Sequence, residues 1–122
     1  MSKKRGDLKK LLKLVQYLST ELDPQMSLLN LNAFLTTAVN EDVATMMDLR
    51  RQLDNYGGTR SNVSRNISYW ADKQWRREDG TRPDGHGFVK LIPDPEDYRR
   101  RLLLLTQKGQ TFCDELVNLL ED

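Results

Sequence analysis

The run Gly57-Gly58-Thr59-Arg60-Ser61-Asn62-Val63-Ser64-Arg65-Asn66-Ile67-Ser68-Tyr69-Trp70 constrains the fold more than any other stretch of the chain. Its paired glycines permit a tight reversal, and Thr59 or Ser61 supplies a hydroxyl that can open a helix. On a helical wheel Val63, Ile67, Trp70 and Ala71 fall on one side. Ser61, Arg65, Ser68 and Tyr69 fall largely on the other, with Asn62 on the margin. One side must pack on a core. The other offers short hydroxyls, an amide and guanidinium groups, and the spacing carries the helix to Trp75 or Arg76.

The residues before this run fit a matching plan. Ser27 can cap a helix running to about Val39, with Leu28, Leu31, Phe34, Leu35 and Ala38 as its core side. Asn40-Glu41-Asp42 breaks it, and Val43-Ala44 supplies a very short strand. Thr45 and Asp48 form a capping pair for a third helix, Met46 to about Asp54, that buries Met46, Leu49 and Leu53. Arg50 and Arg51 are solvated there and within reach of a phosphate. A short helix, a compact turn and a second helix with a polar outer face is the helix-turn-helix plan. That outer face suits a DNA major groove, because short side chains let the backbone approach and Arg65 reaches base edges or phosphate.

Downstream, residues 76–87 carry no apolar side chain and read as a loop. Phe88 to Ile92 reads as a strand, Pro93 to Tyr98 as a rigid tip, and Arg99-Arg100-Arg101 with Leu102 to Leu105 as the return strand. An arginine-rich hairpin beside a polar helix can grip a backbone or reach into a minor groove. Thr106 caps a last helix with Phe112, Leu116, Leu119 and Leu120 on its apolar side, flanked by Cys113 and Val117. At the other end, residues 1–6 read as a flexible basic arm and 7–122 as a single domain. The first helix, Asp7 to Thr20 with Asp7 as its cap, repeats Leu8, Leu11, Leu12, Val15 and Leu18 at helical spacing. One small domain offers too little area to cover both leucine-rich ends. Leu8, Leu11, Leu12, Val15, Leu18, Phe112, Leu116, Leu119 and Leu120 are therefore expected at a dimer seam.

A net charge of +1 over 122 residues looks low for a nucleic-acid binder, but its distribution is uneven. Residues 1–19 hold six basic groups against one acid and 57–101 hold ten against seven, whereas 20–56 and 102–122 are net acidic. Two basic regions on a near-neutral body are compatible with DNA binding. With 38% hydrophobic and 30% charged residues, neither a wholly disordered chain nor a membrane protein is expected. A membrane-surface role for residues 1–19 is the weaker reading, since a partner helix explains the same leucines. The single cysteine, Cys113, excludes an internal disulfide and fits a reducing cytoplasm. His86 is the only histidine, so no histidine–cysteine metal site or thiol–histidine pair arises. The expectation is a non-enzymatic protein without metal or cofactor.

Asp94-Pro95-Glu96-Asp97-Tyr98-Arg99, followed by Leu105-Thr106-Gln107-Lys108-Gly109, resembles the wing and next helix start of the MarR family of bacterial and archaeal winged-helix regulators. The family's Asp-x-Arg element is matched by Asp97 and Arg99, and its Leu-Thr-x-x-Gly element by Leu105, Thr106 and Gly109. The resemblance covers roughly residues 7–120. It implies a mainly α fold with a small β-hairpin, a winged helix-turn-helix whose helical ends form a dimer seam. The implied function is a homodimeric, sequence-specific double-stranded-DNA-binding transcription regulator, most often a repressor, on a pseudo-palindromic operator. Arg60, Ser61, Asn62, Ser64, Arg65 and Tyr69 would then serve the major groove. Lys90, Asp97, Arg99, Arg100 and Arg101 would serve the wing or backbone, with Asp97 fixing the direction of Arg99. Many members bind small phenolic or aromatic effectors, but no residue here assigns such a pocket. The alternative is a winged-helix module that modulates another protein, which would show only weak, sequence-indifferent DNA affinity.

Overall fold

The computed structural model describes residues 3–40, 43–72, 79–81 and 84–121. Along them run α1 (Lys3–Glu21), α2 (Leu28–Val39), α3 (Met46–Leu53), a 3-10 turn (Asp54–Tyr56), α4 (Arg60–Trp70), β1 (Val89–Asp94), β2 (Asp97–Leu105) and α5 (Gln107–Leu120). Four helices open on the hydroxyl residues that the sequence marks. Ser27, Thr45, Thr59 and Thr106 each accept a hydrogen bond from the backbone N–H three residues on. In the first three the bond is returned by Asn30, Asp48 and Asn62. Each cap contributes about 1 kcal/mol. α1 behaves differently: it starts at Lys3, so Asp7 lies inside the helix and residues 3–6 of the expected arm are helical. Met1 and Ser2 lie outside the described residues.

Four rings hold the core together. Phe34 from α2, Trp70 from α4, Phe88 just before β1 and Phe112 from α5 all meet one another, with centroids 4.5 to 6.3 Å apart. Each such pair adds about 0.5–1.5 kcal/mol beyond area burial, so four elements are tied at one point. Phe34 also decides which side of α2 turns inward. Ala33, Phe34 and Thr37 are buried, while Leu28 is 87% exposed and Leu35 stands at the surface. The expected core side of α2 is thus corrected by rotation about the helix axis. α2 is apolar nearly all round, so its periodicity alone does not choose a face.

Leu18, Phe112 and Leu116, expected at a dimer seam, are instead buried in the protomer's own core. The reason is that α1 and α5 pack on each other, and the Tyr17 hydroxyl donates to Glu115 Oε2 across their contact. Leu119 is half-buried, whereas Leu8, Leu11, Leu12, Val15 and Leu120 remain exposed.

β1 and β2 pair antiparallel, with Val89 opposite Leu105 and Leu91 opposite Leu103. These four side chains turn inward, as period-two alternation requires. The strands run further than the sequence suggests. β1 continues through Pro93 to Asp94, and the register slips between Pro93 and Asp94, leaving Pro95 and Glu96 as the turn. In place of a Val43-Ala44 strand there is one bridge, Thr45 to Leu102, and one bond from Leu103 N–H to Ala44 O at 2.9 Å. Glu41 and Asp42 lie outside the described residues.

α4 ends at Trp70, earlier than expected, with Ala71 extended at its end. Residues 73–78, which include the expected end at Trp75 or Arg76, lie outside the described residues. The end has a visible cause. The N–H groups of Gly85, His86, Gly87 and Phe88 donate to the carbonyls of Asp72, Tyr69, Ala71 and Trp70, at 2.8, 3.1, 2.9 and 2.7 Å. The part of the loop nearest β1 is therefore stitched to the helix. Side chains would block this approach: a Cβ on Gly85 would sit 1.9 Å from Ala71 O, and one on Gly109 would sit 2.0 Å from Phe88 O. Thr106 completes the joint by donating its hydroxyl to Gly87 O at 2.7 Å while capping α5.

Gly109→Ala should therefore destabilise the protein by about 2 kcal/mol or more, because backbone must move to admit the methyl group. Gly6→Ala, where a Cβ meets nothing within 4 Å, should stabilise α1 by about 0.5 kcal/mol. Urea unfolding of both variants checks the pair, and equal effects would contradict the close approach at Gly109.

Candidate nucleic-acid interface

The helix-turn-helix is α3, the 3-10 turn and α4. Gly57 takes φ 88°, a left-handed value suited to glycine. Gly58 passes so close to Leu53 that a Cβ would lie 2.7 Å from Leu53 Cβ. Both glycines are thus used. Val63, Ile67, Trp70 and Ala71 are buried, as the wheel predicts, and this leaves Arg60, Ser61 and Arg65 exposed with Ser64 and Ser68 half-buried.

Two expected readers have other duties. The Asn62 carboxamide accepts from Thr59 N–H at 2.6 Å and donates to Gly57 O at 3.0 Å, so it fixes the turn. Tyr69 was expected to face outward, but its hydroxyl donates to Asp23 Oδ2 at 3.2 Å and its ring meets Trp70 and His86 edge-on. Burial, and then the charge of Asp23, push its pKa up to about 12. His86 packs among Tyr69, Trp70 and Phe88, and burial followed by the charge of Lys108 lowers its pKa. The only histidine is thus part of the joint between α4 and the hairpin.

A cleft of about 730 Å³ separates α4 from the hairpin. Arg50 from α3, Arg60 from α4, and Arg99, Arg100 and Arg101 from β2 line it. Among the described residues that line it, Asp72 is the one acid. Ser64 and Ser68 form part of the α4 wall, with their hydroxyls donating to Arg60 O and Arg65 O and their oxygens free to accept. On the wing, Arg99 is 94% exposed and its Nε lies 3.5 Å from Asp97 Oδ1. That same oxygen accepts from Arg99 N–H at 3.0 Å. An exposed pair of this kind contributes under about 1 kcal/mol to stability, enough to bias the guanidinium toward Asp97 but not to fix it. Arg100 Nε stands 4.0 Å from Asp94 Oδ2.

Lys90 is not brought to the cleft. It alternates with Leu91, which lines the cleft, and so projects from the other side of β1. Met47 and Asp72 also line the cleft but are not singled out by the sequence. Among the described residues no group of three or more His, Cys, Asp or Glu side chains could hold a metal ion. No helix among them is long and apolar enough to cross a membrane.

The raised pKa of Tyr69 has a sign that can be tested. Between about pH 10 and pH 12 the unfolded tyrosine loses its proton while the folded one keeps it, so this bond stabilises the fold below pH 10 and its contribution is lost as pH rises to 12. Tyr69→Phe should remove one late-titrating phenolate from the 295 nm absorbance titration and flatten the fall of stability over that window. An unchanged titration would contradict the buried Tyr69–Asp23 bond.

Neither a protein-family model nor a curated protein matches the sequence. Among solved structures the chain is similar to the crystal structure of MarR, with a TM-score of 0.51 and 18% identity, over 92% of this chain and 74% of that one. The helix order, the two-stranded hairpin after the second helix of the helix-turn-helix, and the closing helix together give this chain a MarR-like winged helix-turn-helix fold.

Proposed function

We propose that the protein is a dimeric, sequence-specific double-stranded-DNA-binding transcriptional regulator that acts as a repressor. The observation that carries this reading is the cleft between α4 and the hairpin, whose described lining residues include five arginines and one acid. With α4 in a major groove and the hairpin over the adjoining backbone or minor groove, the strand of phosphates between them runs through that cleft. Ser61, Ser64 and Arg65 then face base edges, and Arg60, Arg99, Arg100 and Arg101 take phosphates, joined by Arg50. Asn62 acts by holding the turn and Asp97 by biasing the wing arginine, while Tyr69 and Lys90 leave the set of readers. Residues 7–122 work as one unit in this reading.

The dimer is supported by the exposed leucines of α1 together with Val117 and Leu120 of α5. Covering them in a two-fold pair presents two copies of α4 to half-sites about 34 Å apart. Repression follows when a bound dimer occupies duplex that the transcription machinery needs.

Selection from randomised duplexes with the purified protein should yield a pseudo-palindromic site. Its affinity should fall with salt at a logarithmic slope of roughly −5 to −7 if a dimer contacts about 6–8 phosphates. Arg65→Ala should relax base preference at one position per half-site, by about 1–3 kcal/mol. Arg99→Ala should weaken specific and unrelated duplexes alike. Weak, sequence-indifferent binding alongside a stable protein complex would instead favour a protein-interaction module.

A further inference from the structure

A directed chain of hydrogen bonds runs from the start of α2 through the side chains of Asn30 and Asn66 to the backbone carbonyl of Asn62 in the first turn of α4. The Ser27 N–H and hydroxyl both donate to Asn30 Oδ1, at 3.1 and 2.9 Å. This leaves Asn30 Nδ2 to donate to Asn66 Oδ1, and Asn66 Nδ2 to donate to the Asn62 carbonyl at 2.7 Å. The chain ends at that backbone oxygen; the Asn62 side chain makes its own bonds, accepting from Thr59 N–H and donating to Gly57 O. A backbone N–H only donates and a carbonyl only accepts, so the two ends of the chain dictate the orientation of every amide between them.

Asn66 is 9% exposed, on the side of α4 that also carries Val63, Ile67 and Trp70. Burying an amide costs free energy unless it is fully bonded, and apolar packing alone would not need one. What an amide supplies is direction. The hydrophobic effect is non-directional, so apolar burial specifies the roll of a helix less sharply than a hydrogen bond does. A roll of about 20° moves atoms on the rim of a helix about 10–12 Å wide by about 2 Å, more than a hydrogen bond to a base tolerates. A parallel bond, from Trp70 Nε1 to Asn30 O at 2.7 Å, ties α4 to the same residue.

We propose that Asn30 and Asn66 are positioning residues for sequence recognition, setting the roll of α4 and hence which bases Ser61 and Arg65 meet. This inference rests on the DNA-binding reading above and deepens it. Asn30→Asp is the informative variant. It keeps the oxygen that Ser27 needs but supplies no N–H to Asn66. If Asn66 turns over to donate to the carboxylate, its own oxygen then faces the Asn62 carbonyl, so one link is lost either way. Asn66→Leu, which keeps the volume and drops the amide, is the second variant.

The first measurement uses the free protein. Asn30→Asp should shift the backbone ¹⁵N–¹H resonance of Val63, whose N–H shares a peptide unit with the Asn62 carbonyl at the far end of the chain. The second uses a duplex selected by the wild type and an unrelated duplex of equal length. Either variant should lose at least tenfold in affinity for the selected duplex and change the preferred bases beneath α4. Affinity for the unrelated duplex should stay within twofold. Shifts confined to α2, or parallel losses on both duplexes with unchanged base preference, would overturn the proposal. A wild type that selects no sequence would overturn the DNA reading and the recognition role with it, and the resonance shifts would then report only how far the hydrogen-bond chain reaches.

Discussion

The four N–H groups of residues 85–88 bond to the last carbonyls of the α4 segment, and much else depends on that joint. A helix end leaves carbonyls without partners, and most chains satisfy them with water or a glycine turn. Here the root of the hairpin satisfies them, so one set of bonds terminates the helix and places the wing. The joint demands close backbone approach, which Gly85 and Gly109 permit, and it is backed by the ring cluster of Phe34, Trp70, Phe88 and Phe112. α4 and the wing arginines therefore form the two walls of one cleft.

Much of this was legible in the sequence, for local reasons. Ser27, Thr45, Thr59 and Thr106 each stand where a helix needs a side-chain acceptor, and each serves as one. The stripe of Val63, Ile67 and Trp70 marks a buried side because the rest of α4 is polar. What failed depended on distant partners. The inward side of α2 is chosen by rings from α4, from the residue before β1 and from α5, not by its own pattern. Tyr69 sits on the outer half of the wheel, yet it is claimed by Asp23, 46 residues away. Leu18, Phe112 and Leu116 read as dimer-seam residues, yet the α1–α5 contact and the ring cluster bury them within the chain. The end of α4 had a faint signal in the glycines flanking His86, whose need becomes clear only with the backbone beside them.

Charge follows the same logic. A net charge of +1 conceals a cleft where, among the described residues, five arginines face one acid. The field a phosphate would meet is set by that local arrangement and not by the total. The asparagine chain behind α4 adds directional bonds to the ring packing and the backbone joint that already hold the helix. The proposed reading thus separates three tasks: arginines for attraction, short side chains on α4 for discrimination, and buried amides for alignment.

Ethylation interference on a selected duplex tests most directly whether a DNA strand runs between α4 and the wing. The account predicts that, in each half-site, binding is blocked by ethylation of a short run of phosphates bordering both the major groove under α4 and the adjoining minor groove, with the pattern repeating about one helical turn away. Interference scattered along one face without that paired repeat, or none at all, would contradict it.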